Sequence, residues 1–139
     1  MNVRQTEARR WFSQARADLA VVHTLVGAGH YAAACFHAQQ AAEKALKAVL
    51  FSQGSRVIWG HSVAELAKQC SVHEPSFADL AAEAAQLDQF YIPTRYPHGL
   101  PSPAVPSETY TAAQAEMASA SVERIIDLAE TFLRRQGVI

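Results

Sequence analysis

The sequence predicts an all-α fold, an up-and-down helical bundle of four main helices plus one short one. Three observations lead there. Apolar residues recur at three- and four-residue spacing along most of the chain, and no stretch alternates apolar and polar as a half-buried strand does. Helix starts and stops punctuate that pattern at regular intervals. Half of the 139 residues are apolar and 18% are charged, a globular composition with enough hydrophobic material for a core. Neither an internal repeat nor a break in composition divides the chain, so residues 1–139 are expected to form one domain.

Taken in order, Thr6 is expected to cap a first helix whose apolar positions Ala8, Phe12, Ala15, Leu19, Val22 and Val26 share a face. The GAGH segment ends it, because Gly27 and Gly29 can adopt left-handed backbone. A second helix is expected from Tyr31 to about Gln53. Its inner face carries Cys35, Ala38, Ala42, Leu46 and Val49. Most of these are small, so neighbouring axes can approach closely and this helix belongs at the bundle's centre. Gln40, Glu43, Lys44 and Lys47 are placed on its outer side, with Glu43 and Lys47 as a solvent-facing i,i+4 ion pair.

SQGSRVIWG reads as a connecting loop. Ser62 and Glu65 then form a capping box that opens a short third helix. After Pro75, Ser76 and Asp79 start a fourth helix that runs to about Tyr91. A final helix is expected from Ser107 to about Gln136, with Ala118, Val122, Ile125, Ala129 and Phe132 as its apolar stripe.

Charge and cysteine content exclude several classes. With 12 Lys+Arg against 13 Asp+Glu the net charge is −1, so no global basic excess draws the chain to nucleic acid or anionic membrane. No apolar run has membrane-spanning length, and the N-terminus lacks a signal-peptide core. Cys35 and Cys70 stand alone, as reduced and partly buried thiols do in a cytoplasmic protein. The six histidines show no metal-ligand spacing, and neither a metal nor a cofactor is expected.

Chemistry concentrates in FYIPTRYPHGLPSPAVP, residues 90–106. A long proline-dense gap between good helices is an uncommon feature of a compact domain and is often functional. Five prolines are expected to hold it extended over the surface, presenting Arg95, Tyr96 and His98. A cation, an aromatic face and an imidazole together can hold a phosphate and a base. Arg95 also has a structural explanation. Asp88 falls on the inner face of the fourth helix, where a carboxylate needs a partner, and Arg95 is seven residues on. Asp18, at the edge of the first helix's inner face, is a second structural carboxylate.

With these residues in view, the chain resembles the HEPN family, the higher eukaryote and prokaryote nucleotide-binding domain. The resemblance rests on ARADL at 15–19, HAQQAAEKALKAVL at 37–50, HSVAEL at 61–66 and LDQFYIPTRYP at 87–97. It implies a helical bundle, commonly a homodimer, that pairs with a minimal nucleotidyltransferase in a two-component, toxin–antitoxin-like system and contacts nucleotide or RNA. Arg95, Tyr96 and His98 are the residues it places at that contact.

Some family members are metal-independent ribonuclease toxins with an arginine, four to six residues and a histidine, acting across a dimer cleft. Arg95 and His98 occupy the similar place but only Tyr96 and Pro97 separate them, which departs from that motif. Arg56 and His61 have the motif's spacing but stand before the third helix, where His61 reads as a helix-start residue. Catalysis by Arg95 and His98 is therefore the alternative to a binding module. A dimeric scaffold whose RYP segment closes the core is a third reading.

Overall fold

The computed structural model describes residues 1–139. Three long helices make the frame: α1 (Val3–Gly27), α2 (Tyr31–Ser52) and, at the end of the chain, α6 (Ala112–Arg135). Between them lie α3 (Val63–Ser71), a 3₁₀ segment (Pro75–Leu80) that leads into α4 (Ala81–Asp88), a 3₁₀ turn (Pro97–Gly99) and the four-residue α5 (Pro106–Thr109). The all-α expectation holds, with no strand anywhere. No helix is long and apolar enough to cross a membrane.

Several boundaries differ from the sequence expectation for local reasons. The first helix begins at Val3, not after Thr6, because Asn2 and Gln5 form a capping box in which each side chain takes the other's backbone N–H. The α1–α2 turn falls where expected, but only Gly29 is left-handed, at φ +81°, with the His30 N–H on the Leu25 carbonyl; Gly27 ends α1 in helical geometry. The fourth helix is α-helical only over Ala81–Asp88, with 3₁₀ geometry after Pro75 and single turns beyond Asp88. The last helix is broken at Tyr110, and Thr111 caps a fresh start with Gln114 as its capping-box partner.

α2 occupies the centre, packed by α1, α6, α3 and α4. Fifteen of its 22 residues are buried, and Ala38, Ala41, Ala42, Ala45 and Ala48 let the surrounding axes approach. This corrects one expectation. Glu43 and Lys47 do pair, at 3.6 Å, but inside the protein: they are 4% and 6% exposed. The helices packed on α2 leave no solvent face at these two positions, whereas Gln40 and Lys44 remain half-buried.

Thirty-two buried apolar residues form one continuous cluster, anchored by Phe12, Leu46, Phe77, Ile125 and Leu133. Polar links between helices line its edge. The Lys44 ammonium holds the buried Asp18 carboxylate at 2.5 Å, joining α2 to α1. Glu130 on α6 accepts from Arg134 and from Arg16 on α1. The Arg134 hydrogen bond, aided by the Arg16 charge, holds its carboxyl below the usual range.

Candidate functional site

Asp88 is the point from which the site is built. Its carboxylate does not meet Arg95. It accepts instead from the backbone N–H of Val63 (2.7 Å) and Ala64 (3.0 Å), from the Ser62 hydroxyl (2.9 Å) and from Gln39 Nε2 (3.3 Å). The first turn of a helix offers unpaired N–H groups and a partial positive charge, and Asp88 satisfies both at the start of α3. Ser62 still caps the Glu65 N–H (3.1 Å) while its own proton goes to Asp88.

Gln39 ties this junction to α2. Fully buried, it donates to the His61 carbonyl at 2.7 Å and to Asp88, and its own carbonyl accepts from Gln40. The backbone at His61 is thereby fixed. The His61 side chain is fixed separately, with Nδ1 2.5 Å from the Glu43 carboxylate and the ring stacked on Tyr91 at 5.1 Å and 18°.

Tyr91 leads to Arg95. The chain beyond Asp88 folds in tight turns, and the Arg95 Nε–H donates to the Tyr91 carbonyl at 2.8 Å. Its guanidinium carbon lies 4.3 Å from the centre of the Phe36 ring, 4.7 Å from Tyr91 and 5.1 Å from Tyr96. Three rings hold one cation, and no carboxylate lies within ion-pair distance of it. Such packing keeps a guanidinium in place while leaving its outer N–H groups unpaired. Tyr96 in turn stacks on His98 at 5.6 Å and 28°.

The segment 90–106 is therefore not the extended ribbon expected from its prolines. Turns close Ile92 to Tyr96, Tyr96 to Gly99 and Pro101 to Ala104. Gly99 sits so close to Pro93 that a Cβ there would come within 2.9 Å of the Pro93 Cα, so only glycine fits without movement. Compactness, not extension, presents the side chains.

The result is a strip in the order His61, Tyr91, Arg95, Tyr96, His98, with Phe36 flanking the arginine. The structure joins Arg95, Tyr96 and His98 as expected and separates Asp88 from them. It adds Glu43, His61, Tyr91 and Phe36, which sequence reasoning placed elsewhere or passed over. The missed signal was the alanine surround of Glu43: with Ala41, Ala42, Ala45 and Ala48 buried about it, a carboxylate there cannot face water. No cluster of three or more His, Cys, Asp or Glu side chains gathers as a metal site would require.

The HEPN domain family model matches residues 8–132. Among solved structures, TT1696 from Thermus thermophilus is 40% identical, with a TM-score of 0.80 over 91% of this chain and 98% of its own. ST0689, an archaeal HEPN homologue, is 33% identical, with a TM-score of 0.74 over 90% of this chain and 96% of its own. A candidate toxin of Methanocaldococcus jannaschii, MJ1304, is 27% identical over 138 residues, 93% of this chain and 90% of its own length.

Proposed function

The chain belongs to the HEPN domain family, and on that premise we propose that it is the toxin-like member of a two-component pair, binding nucleotide or RNA through the strip around Arg95. Arg95 grips a phosphate, Tyr96 stacks on a base, and His98 hydrogen bonds at the rim. Its partner protein is a minimal nucleotidyltransferase, and the working form is a homodimer. The similarity to the M. jannaschii candidate toxin supports the toxin-like part of this reading.

One observation carries the binding reading: a half-buried guanidinium held by three rings and a backbone carbonyl, with no carboxylate to neutralise it. An arginine placed only to close the core is expected to have its charge paired inside the protein. Here the unpaired N–H groups match the fork of a phosphate, and the adjoining rings offer stacking surface.

Fluorescence anisotropy with a labelled single-stranded RNA tests it. Arg95→Gln is expected to weaken binding about tenfold or more, and Tyr96→Ala by a similar factor through lost stacking, with helicity unchanged in both. Unchanged affinity in a folded Arg95→Gln protein contradicts the reading. Unfolding of both Arg95→Gln and Arg95→Lys assigns the arginine to the core instead.

A further inference from the structure

Arg56 takes no part in the strip around Arg95, yet it borders a cavity of its own. A recess of about 620 Å³ opens between the start of α1 and the chain that leaves α2. Arg4, Trp11, Phe51, Gly54 and Arg56 line it, and no residue of the Arg95 strip does. That volume lies within the range of small-molecule sites.

Two rings build its apolar wall. Trp11 of α1 and Phe51 of α2 meet with 5.4 Å between ring centres and 33° between planes. The buried Lys47 ammonium, 5.5 Å from the Trp11 ring centre, gives the indole a second hold. Both rings stay only partly buried, so they keep surface for a ligand.

The polar wall carries unbalanced charge. Gly54 leaves α2 at φ +100°, and the Arg4 guanidinium settles against it, with Cζ 3.3 Å from where a Cβ would stand. Arg56 follows two residues on. Neither guanidinium has an ion-pair or hydrogen-bond partner within the chain. The one carboxylate on the lining, Glu7, is held by Arg10 at 2.6 Å. Two like charges bordering one recess repel, and an anion seated between them removes that cost.

We infer that this recess binds a small ligand made of a flat aromatic ring and a phosphate monoester. The ring lies against Trp11 and Phe51, and the phosphate sits between Arg4 and Arg56. A phosphate monoester suits two unpaired cations better than a carboxylate does. It is close to a dianion at neutral pH, and its three acceptor oxygens can receive both guanidinium forks. The site is separate from the RNA contact proposed for Arg95 and does not depend on it.

The test titrates naphthyl phosphate into the isotope-labelled full chain and follows the tryptophan indole N–H resonances by NMR. There are two tryptophans, and Trp59→Phe assigns their signals. A saturable shift of the Trp11 resonance is expected. Arg4→Gln and Arg56→Gln, both at exposed positions, should stay folded and each weaken affinity about tenfold or more. Lys68→Gln, which removes the same charge from the exposed side of α3, should bind as wild type does. Naphthol and inorganic phosphate should each bind about tenfold more weakly than naphthyl phosphate, since each leaves one wall unsatisfied. No saturable shift of Trp11, or affinity unchanged when both arginines are replaced, overturns the inference. So does naphthol binding as tightly as its phosphate, which makes the recess an apolar pocket only. Inorganic phosphate binding as tightly overturns it too, by making the recess an ion site.

Discussion

The Asp88 carboxylate is held at the first turn of α3, while the Arg95 guanidinium lies among the rings of Phe36, Tyr91 and Tyr96. A carboxylate on a core-facing stripe and an arginine seven residues on satisfy the same spacing argument, yet Asp88 turns to the start of α3. The reason is competition among donors. Two backbone N–H groups, a hydroxyl and a buried amide all converge there, and the N–H groups of Val63 and Ala64 would otherwise be left without partners. Asp88→Ala is therefore expected to destabilise the fold by about 2 kcal/mol, from the lost cap and the orphaned donors. Chemical denaturation checks this. A loss as small as that of an exposed surface substitution contradicts the assignment. Because Gln39 also holds the His61 carbonyl, the same variant should loosen His61, visible as lost protection of the amides at the start of α3.

At the scale of elements, periodicity identified the long helices and their buried stripes, since a repeat of 3.6 survives any later change of neighbours. It failed where neighbours decide the outcome. α2 was expected to have a wet side, but other helices pack around it, and Glu43 and Lys47 are enclosed. The proline gap was expected to be extended, but turns and a close approach at Gly99 fold it against itself. Burial between elements also marks the cysteines. It pushes Cys35 up to about 11 and Cys70 up to about 12 from an ordinary 9.0. The Cys70 thiol points at the Leu46 carbonyl of α2.

A thiol whose folded pKa is raised favours the folded state fully below its unfolded pKa, and loses that advantage as pH climbs toward the folded value. Stability should therefore fall as pH rises above 9.0, toward the range of about 11 to 12. Urea midpoints measured from neutral to alkaline pH should slope less steeply in Cys70→Ala than in wild type. Identical slopes contradict this. Both native thiols should also resist alkylation at neutral pH.

Across the whole molecule, net charge said little about nucleic acid, because the cation that matters is one residue set among rings. The candidate site draws on separate stretches: Phe36 and Glu43 on α2, His61 before α3, and Tyr91, Arg95 and Tyr96 after α4. Sequence order disperses them; packing around α2 gathers them. Only the last stretch had a local signature, in its prolines and its RYP triplet, and so only that part was legible in advance.

The central claim is that Arg95 meets a phosphate. The most direct measurement is the salt dependence of single-stranded RNA binding for wild type and for folded Arg95→Gln. Neutralising one phosphate contributes about 0.7 to the slope of log affinity against log salt on a single strand. The account predicts that Arg95→Gln binds more weakly and that its slope is shallower by about that amount. Coincident lines of equal affinity would contradict it.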